Sequence, residues 1–227
     1  MQIGLLLFPR LTQLDLTGPL EVFSRIPNVE VQLVWKSHDV VAADRGMRIL
    51  PTHTFADTTT LDVICVPGGP GQIDLMNDEA VLQYVRDAAA KCRWITSVCT
   101  GSLVLAAAGL LNGYRATSHW SSIDQLAMFG AIPTHERVVR DRNRITGAGV
   151  TSGIDFALTI AAELLGVEGA EEIQLQIEYD PQPPFASGSP RNASPELLSA
   201  VSERIAPFIE KRRRASEVAA RRQSAED

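Results

Sequence analysis

The stretch Trp94-Ile95-Thr96-Ser97-Val98-Cys99-Thr100-Gly101-Ser102-Leu103 places one cysteine between a β-type run and the small residues that open an apolar helix. A strand-to-helix elbow of this kind lifts a nucleophile out of the C-terminal edge of a sheet. The free N–H groups of the following helix favour negative charge, so Cys99 is expected to be an anionic nucleophile. A cysteine at a strand end can also be a plain small hydrophobe, and the Thr-Gly-Ser that follows weighs against that. The other two cysteines lack such a setting. Cys65 lies in the apolar run Val63-Ile64-Cys65-Val66, where burial makes a thiol inert, and Cys92 sits between Lys91 and Arg93 at a helix end with no loop to present it.

Two glycine-dense turns could wall a pocket at the same edge. Pro67-Gly68-Gly69-Pro70-Gly71 follows a strand, and its backbone N–H groups, those of Gly68 and Gly69 in particular, could approach a substrate closely. The turn around Gly147-Ala148-Gly149 joins a strand to a helix and serves equally as a simple connection. His119-Trp120, after Ala116-Thr117-Ser118, lies beyond a short strand where a histidine could neighbour the elbow or just be packed and hydrogen-bonded. The four histidines are scattered, with no pair at metal-ligand spacing, and no phosphate loop or dinucleotide fingerprint opens a helix, so no metal or other cofactor is expected.

The elements that must position these groups follow from periodicity. Short strand-type runs, Gln2 to Phe8, Val29 to Trp35, Val63 to Val66 and Trp94 to Val98, alternate with helical patterns. That order predicts an α/β fold, a doubly wound and mostly parallel sheet of flavodoxin-like or Rossmann-like type carrying the elbow. A helix around Glu21 to Arg25, with Thr17 as N-cap and Pro19 in its first turn, would leave Asp15 in the loop before it. Helices are also expected at Glu79 to Lys91, Thr100 to Leu111, Gly153 to Leu165 and Glu171 to Tyr179.

Six residues of the stretch Asp180 to Pro195 are Pro or Gly, which predicts an extended arm. Beyond it Leu197, Leu198, Val201, Ile205, Phe208 and Ile209 recur at helical spacing, with Pro207 expected to kink the helix or split it, and Ala215 to Asp227 expected to fray. The division is therefore a domain over residues 1–180 and, over 181–227, an arm and helix packed on that domain or on a dimer partner.

The formal charge of −6 opposes a phosphate backbone, and the only dense basic cluster is Lys211 to Arg214, so nucleic acid is not an expected partner. The apolar run Ile3 to Phe8 is too short for a signal or a membrane span, which leaves the cytoplasm as the expected location and unpaired thiols as the expected state of the three cysteines.

Val66-Pro67-Gly68-Gly69 with Ser97-Val98-Cys99-Thr100-Gly101 resembles the glutamine-amidotransferase-like DJ-one/PfpI superfamily, from Met1 to about Pro190. Leu14-Asp15-Leu16-Thr17-Gly18-Pro19, Cys99-Thr100-Gly101-Ser102, Ala116-Thr117-Ser118-His119-Trp120 and Glu178-Tyr179-Asp180-Pro181 together resemble its isonitrile hydratase branch. Other branches place a histidine directly after the cysteine or a glutamate near it, where this chain has Thr100 and Asp15. The resemblance implies Cys99 as nucleophile, Asp15 as acid/base and Thr100 as support for substrate or intermediate. It also implies a cofactor-free enzyme that hydrates an isonitrile to an N-substituted formamide through a Cys thioimidate. Gly68, Gly69, Gly149, His119 and Trp120 would line the substrate pocket, and a homodimer would cover the apolar stripe of the C-terminal helix. Read alone, Asp15 serves equally as a capping or Asx-turn residue. A thiol sensor or a glyoxalase- or deglycase-like enzyme could use the same elbow. The segment after the arm is too short for the two helix-turn-helix units of a regulator built on this domain.

Overall fold

The computed structural model describes residues 1–226; Asp227, the last residue of the stretch expected to fray, lies outside them. The chain runs β1 (Gln2–Leu6), α1 (Gln13–Phe23), β2 (Glu30–Trp35), β3 (Val41–Ala42), β4 (Arg48–Ile49), β5 (His53–Thr54), β6 (Val63–Val66), α2 (Gln72–Leu75), α3 (Glu79–Ala89), β7 (Trp94–Val98) and α4 (Gly101–Ala107). It continues with β8 (Arg115–Ala116), a 3-10 helix (Ile123–Phe129), β9 (Ile132–Pro133), β10 (Val138–Asp141), β11 (Arg144–Gly147), α5 (Ser152–Leu165), α6 (Val167–Gln176) and α7 (Pro195–Glu226). The main sheet has the order β10-β11-β7-β6-β1-β2-β5. All its pairs are parallel except β10 with β11. The four strands read from the sequence are its consecutive centre, β7-β6-β1-β2, in the mostly parallel α/β architecture expected.

Every residue of β6 and β7 is buried. Side chains alternate between the faces of a strand, so burial of all of them means that both faces are covered. One helical group is α1 packed on α5, which rests on β7 and β11; the other is α3 and α4, which rest on β6. Close approach of α1 and α5 depends on small residues. A Cβ on Gly18 would meet Ile154 at 3.4 Å, and one on Gly153 would meet Pro19 at 3.2 Å.

Helix α6 spans Val167–Gln176 rather than Glu171 to Tyr179, and three further helical expectations change. Helix α1 begins at Gln13 rather than after Thr17, so Asp15 lies in its first turn and Pro19 inside it. Burial of Leu16, Val22 and Phe23 outweighs the one backbone bond that Pro19 removes. Helix α4 stops at Ala107, short of Leu111, where the chain turns through Gly109 at φ +78°. Helix α7 is one run through Pro207 and does not end near Arg214. It is held rather than frayed as far as Arg222: Ser216 and Ala219 are fully buried, and Arg222 donates to the Met76 carbonyl at 2.9 Å. The stripe from Leu197 to Ile209 is only half-buried or exposed, and the firmly packed part of the helix begins at Arg212. Among the described residues no helix is long and apolar enough to cross a membrane.

Candidate functional site

Cys99 occupies the turn between β7 and α4 with φ +54°, in the left-handed region that costs a non-glycine residue roughly 1–2 kcal/mol. Four hydrogen bonds hold that conformation. The Cys99 N–H donates to the carbonyls of Gly147 (3.0 Å) and Ala148 (2.8 Å), and its own carbonyl accepts from Ser102 Oγ and Ser118 Oγ, both at 3.1 Å. Gly101 lets α4 begin directly against the end of β6, because a Cβ there would stand 2.0 Å from the Val66 carbonyl oxygen.

Asp15 reaches the elbow from the first turn of α1 and is fully buried. Its Oδ2 accepts the Gly68 N–H at 3.0 Å, while Oδ1 has no hydrogen-bond partner among the described residues. Burial pushes the Asp15 carboxyl up to about 7; the facing Cys99 thiol and the Gly68 N–H pull the other way, and the charge of Asp44 adds to the rise. Burial also pushes the Cys99 thiol far above its usual range, with the Asp15 charge adding to it. Opposing this are the neighbouring N–H groups of Thr100 and Val150 and the positive charge of Arg212. Burial thus works against the anion expected of an elbow cysteine. Desolvation outweighs the donors, and burial raises the thiol and the facing carboxyl together. Cys65 and Cys92 are both pushed up to about 12 by burial.

Gly68 and Gly69 stand beside the elbow, but their N–H groups meet protein acceptors: Gly68 donates to Asp15, and Gly69 donates to Thr100 Oγ1 at 3.2 Å. A Cβ on Gly68 would lie 2.8 Å from both Asp15 Oδ2 and Thr100 Oγ1. Gly69, at φ +134°, packs its α-carbon against the Leu11-Thr12 backbone. The loop thus fixes the carboxyl and hydroxyl groups beside the sulfur.

His119, Trp120 and Gly149 lie together on a cavity of about 660 Å³ that is also lined by Ile123, Val150 and, from the arm, Pro190 and Arg191. The cavity adjoins the elbow through Ala148, whose carbonyl accepts the Cys99 N–H at 2.8 Å, and its neighbour Val150. Gly149 is small because His119 needs the space, a Cβ there falling 2.9 Å from the ring. Burial lowers the His119 imidazole to about 4, with Arg212 adding to the fall, so the ring is neutral. Its Nδ1 accepts the Ser121 N–H at 3.3 Å, which leaves the ring proton on Nε2. The neighbouring Thr117 ties this segment to the sheet through Thr146 Oγ1 and the Glu136 carbonyl. Tyr179 anchors the start of the arm by donating to Asp155 Oδ2 at 3.1 Å.

Sequence reasoning missed Ser118, Val150 and Arg212. Ser118 was legible only as part of a motif, and Val150 acts through its backbone. Arg212 lay inside the basic cluster Lys211 to Arg214, which was weighed only against a nucleic-acid partner, yet it is 5% exposed and its charge reaches the elbow.

A mostly parallel sheet with a strained cysteine at the C-terminal edge of a central strand and a buried carboxyl facing it defines a class of cysteine-elbow α/β proteins. The DJ-1/PfpI family model matches residues 1–163, and the chain belongs to that family. It is 54% identical to the isonitrile hydratase of Pseudomonas putida over 97% of this chain and 96% of that one. A crystal structure of a ThiJ/PfpI family protein from Pseudomonas syringae superposes with a TM-score of 0.92 at 48% identity, covering 96% of this chain and 90% of the other. The HTH-type transcriptional regulator GbdR of Pseudomonas aeruginosa is 30% identical over 77% of this chain, which spans 48% of that protein.

Proposed function

We propose that the protein is a cysteine-dependent, cofactor-free isonitrile hydratase that converts R-N≡C to the N-substituted formamide. The observation that carries this reading is the Cys99–Asp15 pair: a thiol on a strained elbow facing a buried carboxyl whose Oδ1 is free to handle protons. Similarity along nearly the whole chain to an isonitrile hydratase supports the choice of substrate class.

The terminal isonitrile carbon accepts a nucleophile and becomes basic as the new bond forms. Asp15, ionised, takes the thiol proton while sulfur bonds to that carbon, and it then returns the proton to the same carbon. The product of this step is a thioimidate, R-N=CH-S-Cys99. Asp15 next removes a proton from water as the oxygen adds to the thioimidate carbon, and the nitrogen receives that proton. The C–S bond breaks, the hydroxyl proton returns through Asp15 to sulfur, and R-NH-CHO leaves. The N–H groups of Thr100 and Val150 stabilise the sulfur while it carries charge. The Thr100 hydroxyl, its oxygen already accepting from Gly69, has its proton available for substrate or intermediate.

The cavity walled by His119, Trp120 and Gly149 would receive R. Residues 1–180 form the catalytic unit in this reading, with 181–227 as the arm and helix that close one side of it. A homodimer would cover the half-exposed stripe of α7, and the reaction requires nothing outside the cytoplasm.

The test is formamide production from an aromatic isonitrile by wild type, Cys99→Ala and Asp15→Asn at equal folded concentration. Multiple turnovers in wild type and loss in both variants are expected. Stoichiometric Cys99 oxidation without turnover would replace this reading with a thiol sensor, and turnover of methylglyoxal alone would replace it with a glyoxalase-like enzyme.

A further inference from the structure

Arg212 lies in α7, far along the chain from every other group of the site, and it is 5% exposed. Its Nε donates to Gln72 Oε1 at 3.0 Å and its Nη1 to Ser122 Oγ at 2.8 Å; both acceptors are neutral and fully buried. The Phe208 ring covers one face of the guanidinium at 4.7 Å. Among the described residues no carboxylate forms an ion pair with it, although its neighbours Arg213 and Arg214 pair with Asp124 and Glu210. A buried guanidinium without a counter-ion costs several kcal/mol, so an arrangement that keeps one implies an anion that appears at some stage.

The charged and titratable groups facing the elbow supply that anion. Asp15 comes from α1, with Asp44 behind it; His119 comes from the segment after β8 and is neutral; Arg212 comes from α7; and Cys99 itself is within reach of the Arg212 charge. A thiolate beside the Asp15 carboxylate, with no cation near, would be costly in so dry a place.

We infer that Arg212 is the counter-charge of the Cys99 thiolate, a positioning residue that α7 delivers to the elbow through hydrogen bonds to Gln72 and Ser122. It acts through the sulfur and leaves the proton transfers to Asp15. This inference deepens the proposed reaction but needs only that Cys99 forms a thiolate, so it can be tested without an isonitrile.

The experiment is the pH profile of Cys99 alkylation by iodoacetamide in full-length wild type, Arg212→Met and Arg212→Lys, with Cys99→Ala as the background. Removing the charge should slow alkylation at a fixed pH below the midpoint by about tenfold or more, equivalent to an upward shift of about one pH unit. Arg212→Lys should recover most of that loss. Should Arg212→Met fold poorly, Ser122→Asp neutralises the guanidinium in place by giving Nη1 a carboxylate, and it should shift the profile in the same direction. A folded Arg212→Met or Ser122→Asp whose profile coincides with wild type overturns the inference. Alkylation is read without any isonitrile present, so failure of the hydratase reading would be seen separately in the formamide assay.

Discussion

The elbow at Cys99 and the C-terminal helix α7 each hold a costly group inside the protein, and they hold it by different means. At the elbow a strained backbone is clamped by backbone carbonyls, two serine hydroxyls and glycines that admit no side chain. In α7 the anchor is a line of polar side chains, the buried Arg212 to Gln72 and Ser122 and the buried Ser216 to Gln125, with the half-buried Arg222 reaching the Met76 carbonyl. Backbone clamps resist small movements because close-packed main chain cannot yield. Side-chain anchors can be loosened one at a time, each losing about the value of a single hydrogen bond. Geometry at the sulfur is thus fixed locally by backbone, whereas its proposed counter-charge comes from a helix anchored by side chains.

The largest effect should come from Gly101→Ala. Its Cβ would collide with the Val66 carbonyl at 2.0 Å and the Pro67 carbonyl at 2.7 Å, neither of which is a flexible side chain. A loss of roughly 4 kcal/mol or more is expected, read as a lowered denaturant midpoint or failure to fold. A near-native midpoint would mean that the elbow is softer than its close-packed backbone implies.

A smaller effect, still at the elbow, concerns pH. The Asp15 carboxyl is raised from 3.8 to about 7, so the folded state prefers the protonated form. Its stabilising contribution is complete below the unfolded value and is lost as pH rises through about 7. Stability of wild type relative to Asp15→Asn should therefore decline by a few kcal/mol between about pH 4 and pH 7. The difference isolates Asp15, because His119, depressed to about 4, loses its contribution as pH falls and is common to both proteins. Activity should show the reverse trend in wild type, with kcat/KM rising toward a plateau above about pH 7 as the carboxylate forms. A flat difference in stability would show that Asp15 is better solvated than its burial implies.

On the helix, Ser216→Ala should cost about 1–2 kcal/mol by leaving Gln125 Oε1 without its donor at 2.9 Å. The Cys99 alkylation rate should stay within about twofold of wild type, because the Arg212 anchors are untouched. A larger change in alkylation would couple the two regions more tightly than their separate clamps suggest.

Legibility in the sequence follows the same division. The central strands, the elbow and the mostly parallel sheet are written in local apolar runs and small residues, and local patterns of this kind survive folding because strands and turns depend on near neighbours. Asp15 was recognisable from a motif, but its place in a helix was not, since Pro19 signals a helix start and only the packing of Leu16, Val22 and Phe23 overrides it. Gly68 and Gly69 were found beside the site with a different use, because whether an N–H meets a ligand or a side chain depends on residues 31 and 53 positions away in the chain.

The sequence by itself determined the class of fold, the identity of the elbow cysteine and the motifs that surround it, because each is encoded within a few consecutive residues. Only the tertiary structure decided how dry the pair is and where α7 packs. Desolvation of Cys99 and Asp15 comes from elements distant in the chain, and the hydrogen bonds that hold Arg212 and Ser216 inside reach partners between 90 and 140 residues away. A basic, polar segment looks solvated until the surface that receives it exists, which is why the helix that carries the site's cation was the part least visible from sequence.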